Sequence, residues 1–281
     1  MRERIMEQVK PGIYEGLPFS EYQDIDAWNP SLVVSGLVSM LQLHHDEANP
    51  KEATSAMIFG SAVHCSVLEP DEVPLRYCVW TGGRKAGKDY DVFCAANSGR
   101  DVLTGAQYDA CLGARDAVRK HPAAVKILDG AKTEVSVCWT DHQTGLPCKG
   151  RLDLLGGCIA DLKTTTASIA NARALKNIAS DFHYHVKLAA YQAGIQAVTG
   201  KLLPVKVIWV EQDAPHDCRV QVVPAATLAK GWDAWQSVLT RIVECEKSGV
   251  WPGCDETESD LEIWGADDPS VNVMLDGEPM F

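Results

Sequence analysis

The stretch that decides the fold is Gly150–Thr166, GRLDLLGGCIADLKTTT. Two short apolar runs flank Gly156-Gly157, which reads as two strands around a turn. Yet Asp153, Asp161 and Lys163 stand among Leu and Ile. Residues two apart in a strand face the same side, so Asp161 and Lys163 share a face. The loop decides whether Asp153 joins them. A two-residue loop pairs Leu155 with Cys158 and Asp153 with Ala160, which turns Asp153 away. A three-residue loop, Gly156 to Cys158, pairs Asp153 with Asp161, and such glycine-rich loops with a bulge are common. Cooperation between the two aspartates therefore requires the longer loop. Cross-strand neighbours sit about 5 Å apart at Cβ. Two buried carboxylates at that separation repel, and at least one pKa rises. A divalent cation relieves this, and Mg²⁺ favours a few carboxylates, waters and phosphate oxygens. A lysine alongside can stabilise charge building on phosphorus. The set suits metal-assisted phosphodiester hydrolysis. From the hairpin alone, a surface turn with solvated Asp and Lys fits equally well.

The flanking sequence predicts an α+β fold, a mostly antiparallel central sheet flanked by helices. Ser31 reads as the cap of a helix through His45, and Ala53–Leu68 as a second helix. Thr81–Lys88 (TGGRKAGK) is a Gly-rich basic loop before a short helix, Asp89–Ser98. Thr104 caps a helix to Lys120, and Ala123–Leu128 adds a turn. Strands are expected at Glu134–Thr140, Cys148–Leu155, Cys158–Lys163, Val205–Glu211 and Arg219–Val223, the last two paired. Helices are expected at Ser168–Ala179, Val186–Val198 and Ala225–Lys247. No linker interrupts residues 1–254, so one domain is expected there, followed by a tail at 255–281.

That division also explains the charge. The chain of 281 residues carries −12, but its last 27 residues hold nine acids and no Lys or Arg. The remaining 254 hold 29 acids and 26 bases, a balance of −3. A near-neutral body can carry a basic groove, so the overall acidity does not exclude DNA. No run of about 18 apolar residues predicts a membrane span. The N-terminus, MRERIMEQVKPG, lacks the apolar core of a secretory signal, so a cytoplasmic location is expected. The ten cysteines are scattered with no CxxC pair, which points to buried thiols rather than disulfides, zinc or an iron–sulfur cluster.

Asp153 followed by Asp161-Leu162-Lys163 is the PD-(D/E)xK nuclease pattern, with Leu152-Asp153 in place of Pro-Asp. Around it, in order, come FGSAVHCSVLEP (59–70), RKAGKDYDVF (84–93), VLTGAQYDA (102–110), TEVSVCWTDHQTGLPCKGRLDLL (133–155), ADLKTTT (160–166) and YHVKLAAYQAG (184–194). Together these resemble the nuclease domain of RecE, exonuclease VIII, and its phage and prophage relatives, over roughly residues 15 to 240. The resemblance implies that Asp153 and Asp161, with the carbonyl of Leu162, hold Mg²⁺ (Mn²⁺ as substitute), with two ions per site. It makes Lys163 the catalytic lysine, His64 an active-site histidine, and Glu134 a ligand to the second ion or its water. The family's Q-x-x-x-Y motif is Lys187-x-x-x-Tyr191 here, and positions four apart share a helix face. Lysine brings a charge and cannot accept a hydrogen bond. The implied activity is digestion of linear double-stranded DNA from the 5′ end, leaving a 3′ single strand. A ring-like homo-oligomer and a single-strand annealing partner go with it, in a bacterial cytoplasm.

Outside those motifs, Arg84, Lys85 and Lys88 read as a solvated loop or as phosphate contacts near the entrance. Thr164 and Thr165, at a strand end, can offer donors to a phosphate. The tail ends LDGEPMF, loosely similar to the acidic, Phe-ended tip of single-strand DNA-binding proteins, so a partner of that system is one expectation and a solubilising tail the other. Two alternatives to an exonuclease stand: an endonuclease on the same core, and a non-catalytic protein that binds DNA ends or a partner.

Overall fold

The computed structural model describes residues 10–50 and 52–254, with two short strands beyond, Met274–Leu275 and Glu278–Pro279. The rest of the acidic tail expected at 255–281 lies outside the described residues. Eight strands belong to the body: β1 Gly12–Tyr14, β2 Tyr77–Trp80, β3 Asp101–Thr104, β4 Lys132–Thr140, β5 Pro147–Leu155, β6 Ile159–Thr165, β7 Val205–Glu211 and β8 Cys218–Val222. Six form one sheet in the order β1-β4-β5-β6-β7-β8, and β2 and β3 pair parallel in a small second sheet. Every neighbour in the large sheet is antiparallel except β6 and β7. The mostly antiparallel α+β reading is thus met.

Apolar residues leave both faces of this sheet. On one face, Leu162, Ile208 and Val210 pack with the helices Ser55–Leu68 and Gly105–Lys120, through Val63, Cys111 and Val118. On the other, Val137, Trp139, Val207 and Trp209 pack with Tyr184–Thr199 and Ala225–Ser248, through Val186, Trp235 and Val238. The last two helices cross closely because residue 231 is glycine: a Cβ there would lie 2.1 Å from the carbonyl oxygen of His185.

Helix starts follow their capping chemistry. Thr104 and Gln107 form a reciprocal capping box. The helix expected from Ser31 is broken instead. Asn29 caps Pro30–Val33, a 3₁₀ turn follows, and Ser39 caps Met40–Ala48. Asn and Ser accept the free N–H groups of a first turn, and Pro30 at the first helical position fixes the start one residue before Ser31. The helix expected at Ser168–Ala179 likewise begins later, at Ala172 behind the cap Asn171.

Strand β5 is tied at its start to the N-terminal segment. Trp28 donates its backbone N–H to the Pro147 carbonyl and accepts the N–H of Lys149, both at 2.9 Å. The buried ammonium of Lys149 donates to the carbonyls of Tyr22, Gln23 and Ile25 at 2.9, 2.9 and 2.6 Å. These carbonyls lie at the end of the helix Phe19–Asp24, where backbone acceptors lack helical partners. The cysteines form no disulfide among the described residues.

Candidate active site

The hairpin has the longer loop. Leu155 pairs with Ile159 and Leu154 with Ala160, so Gly156 to Cys158 form a three-residue connection and Asp153 comes opposite Asp161. There the ladder stops. Strand β5 continues beside Trp28, while β6 keeps the parallel pairing with β7 that it holds along its whole length. At this fork the Asp153 carboxylate replaces a strand partner, accepting the backbone N–H of Leu162 at 2.7 Å. Residues two apart in a strand ordinarily share a face. Leu152 and Leu154 nevertheless belong to cores on opposite faces, so β5 turns over at Asp153. Opposite it on β4, Glu134 has φ 52°, a left-handed backbone that a non-glycine residue seldom adopts. The strain lies at the point where acids converge.

Three elements meet at the fork. His64 reaches in from the helix Ser55–Leu68, its Nδ1 3.5 Å from Asp153 Oδ2. One ligand atom each of His64, Glu134 and Asp153 lies within 4.8 Å of the others. On the neighbouring strand Lys163 Nζ pairs with Asp161 Oδ2 at 2.5 Å and lies 3.4 Å from the Leu162 carbonyl oxygen. The structure therefore groups the expected residues in two halves: His64, Glu134 and Asp153 as a donor cluster, Asp161 and Lys163 as an ion pair beside it.

The electrostatics follow from crowding. Burial first, and then the charge of Asp161, push the Asp153 carboxyl up to about 7. Burial and Asp153 likewise raise Glu134, opposed by Arg151. Burial, with Lys163 alongside, lowers His64 to about 4, so its imidazole is neutral at physiological pH. Burial alone would lower the Lys163 ammonium, but Asp161 and Asp153 outweigh it and hold it above its ordinary value. A neutral imidazole and mutually repelling carboxylates form a donor set that fits Mg²⁺ or Mn²⁺, since a divalent charge removes the repulsion.

The far face contributes the helix Tyr184–Thr199. Tyr191 rises against Gly150, where a Cβ would lie 2.8 Å from its ring, so only glycine admits it. Burial, then Asp161, raises its phenol well above the usual value. Lys187 is half-buried one turn earlier, its ammonium lowered by burial and by Lys163. Both residues of the altered motif thus face the site electrostatically.

Two residues at the site were not anticipated from sequence. Arg151 donates from Nε to Glu134 Oε2 at 2.7 Å and from a terminal nitrogen to the Leu17 carbonyl at 2.8 Å, holding Glu134 and the N-terminal segment together. Its position two before Asp153, on the same strand face, was the available signal. Tyr184 receives Lys163 at 5.1 Å and Lys187 at 5.8 Å from its ring centre, an aromatic between two cations.

The suggested phosphate contacts are more dispersed. Arg84, Lys85 and Lys88 are exposed, but Lys85 is bonded to the Val102 carbonyl at 2.5 Å and serves as a strut under the loop. Thr165 is buried with its hydroxyl turned back onto Ala167, accepting its N–H at 3.0 Å. Thr164 accepts from Gln212 at 3.2 Å.

Residues 35–259 match the model of a PDDEXK-like domain of unknown function, DUF3799. The chain belongs to this family. The acidic fork, with Asp153, Asp161 and Lys163, lies within the matched residues. A solved structure titled "Putative exonuclease", from Eubacterium rectale, is 16% identical and covers 85% of this chain and 89% of its own, with a TM-score of 0.61. That likeness shows the same fold. A second structure, SSO0001, is 13% identical over 74% of this chain and 84% of its own, and its TM-score of 0.27 carries no argument. No curated protein sequence matches the chain. Family and fold together support a nuclease of the PD-(D/E)xK superfamily. No helix among the described residues is long and apolar enough to cross a membrane.

Proposed function

We propose that the PDDEXK-like domain is a divalent-metal-dependent exodeoxyribonuclease of the RecE type. It would digest linear double-stranded DNA, 5′ to 3′, and leave a 3′ strand for an annealing partner. One observation carries the reading: His64, Glu134 and Asp153 converge within 4.8 Å beside a Lys163–Asp161 pair on the adjoining strand. His64, Glu134 and Asp153 would hold the cation, Mg²⁺ or Mn²⁺, with Asp161 flanking it. When bound, the ion supplies charge against the phosphate oxygens and eases deprotonation of the attacking water. Lys163, kept protonated by two aspartates, lies where it can steady negative charge as phosphorus becomes five-coordinate. Neutral His64 offers a lone pair without adding repulsion. Arg151 orients Glu134, and Tyr191 packs on Gly150 beside the acids.

The test is digestion of end-labelled linear duplex DNA with Mg²⁺ or EDTA, alongside closed circular duplex and Asp161→Ala. Mg²⁺-dependent loss of linear DNA alone, abolished by the substitution, is the expected result. Cutting of the circle would mean an endonuclease. Binding without cleavage would leave a DNA-end binding protein.

A further inference from the structure

An aromatic column runs from the core to the surface beside the site. Buried Trp209, on β7 opposite Lys163, meets Tyr184 at 6.0 Å between ring centres. Tyr184 in turn stacks on Phe182 at 5.8 Å, with the planes 21° apart. Phe182 ends the column 58% exposed. Its length is not a consequence of helix geometry, because residues two apart on a helix do not face each other. His183 between them brings the two rings together, in a left-handed conformation with φ 52° and ψ 38°. For a non-glycine residue that conformation is uncommon and costs energy, and such strain gathers at functional sites. The junction between the helices Ala172–Asp181 and Tyr184–Thr199 is therefore shaped to present Phe182, rather than to bury it.

The surroundings of the column identify what could extend it. Lys163 and Lys187 both stand over Tyr184, at 5.1 and 5.8 Å from its ring centre. An exposed ring whose neighbour carries two ammonium groups offers a π-face and, one ring away, charge for an anion. Bases stack on aromatic side chains whatever their sequence, while phosphates go to Lys and Arg. Inside an intact duplex the base faces are covered by their neighbours, and the one face bared at a blunt end is held rigidly in its pair, whereas an unpaired nucleotide is free to bring its face to the ring and its phosphate to the lysines together.

We infer that Phe182 is a stacking platform for one unpaired base, whose adjoining phosphate lies at Lys163 and Lys187. The inference rests on the nuclease reading and adds to it that the strand is separated from its complement at the site. Splayed or single-stranded ends are then better ligands than blunt duplex.

The experiment uses the full chain with Asp161→Asn, in Mg²⁺, so that bound DNA is not cut. The probe is an oligonucleotide with 2-aminopurine at its terminal position, single-stranded or in a splayed duplex, compared with a blunt duplex. Stacking on Phe182 quenches the probe. Phe182→Ala should abolish the quench and weaken binding of splayed ends roughly 5- to 150-fold, the range of one base–aromatic stack. Phe182→Trp should restore both. In parallel, Phe182→Ala alone should lower the preference of cleavage for splayed over blunt ends. Because Phe182 is exposed, an unchanged melting temperature checks that the variant is folded. Equal quench, affinity and end preference in Phe182→Ala and its parent would overturn the platform while leaving the nuclease standing. A chain that neither cuts nor binds any of these DNAs would overturn both.

Discussion

Asp153→Asn should stabilise the metal-free protein, and increasingly so as pH rises. The native carboxyl titrates near 7 because burial and Asp161 oppose its charge, against 3.8 for an unhindered aspartate. The sign is that of a raised acid. Between those values the folded state holds a proton that the unfolded state has lost, so stability falls as pH climbs and levels off above 7. The whole displacement is worth about 4 kcal/mol at 1.36 kcal/mol per pH unit. The amide removes this titration, yet its oxygen can still accept the Leu162 N–H now bound at 2.7 Å. About two of those pH units lie between 5 and 7. The stability gap between variant and parent should therefore widen by about 2–3 kcal/mol from pH 5 to pH 8.5, or roughly 3–6 °C in melting temperature for a chain of this size. Urea and thermal unfolding in EDTA at the two pH values measure it. Added Mg²⁺ should raise the melting temperature of the parent at pH 8.5 and leave the variant unmoved. A gap that stays constant or narrows with pH would refute the account of Asp153 as a destabilised buried charge.

The other substitutions act on its neighbours. Arg151→Met leaves the half-buried Glu134 carboxylate without its 2.7 Å partner and should cost about 2–4 kcal/mol in urea unfolding at pH 8, with weaker Mg²⁺ binding by calorimetry. Gly150→Ala drives a methyl to 2.8 Å from the Tyr191 ring, so a loss of about 1–3 kcal/mol and a shift in tyrosine fluorescence are expected. Lys187→Gln removes one cation from beside Tyr184, and the log–log salt slope of DNA binding should fall by about one phosphate contact.

Much of the frame could be read from residue order, for definite reasons. Period-two alternation located β4 and β5, and two glycines with the need to align two aspartates selected the three-residue loop. Thr104 announced its helix as a cap, and the structure adds Gln107 as its reciprocal partner. What escaped were features made by tertiary contact. Strands as short as Gly12–Tyr14 and Tyr77–Trp80 have too few residues to show a period. Asn29 and Ser39 competed with Ser31 as caps, and all three are good ones. The parting of β5 from β6 leaves no mark in sequence, because Asp153 satisfies a backbone N–H that a ladder would otherwise take. Tyr184 and Arg151 lay inside quoted motifs, but their roles emerge only when Lys163, Lys187 and Glu134 are placed around them. Glu134 itself was visible as a strand residue, and its left-handed backbone was not.

The fork has a mechanical consequence. Beyond Leu154 and Ala160 the two halves of the large sheet are joined across β5 and β6 by a side chain, the carboxylate of Asp153 on the Leu162 N–H. Whatever alters that carboxylate, whether a proton, a cation or a substitution, alters a rivet in the framework as well as a group in the chemistry. Loading of the site and stiffness across the seam are then one variable, and amide exchange at Leu162 is a local gauge of both.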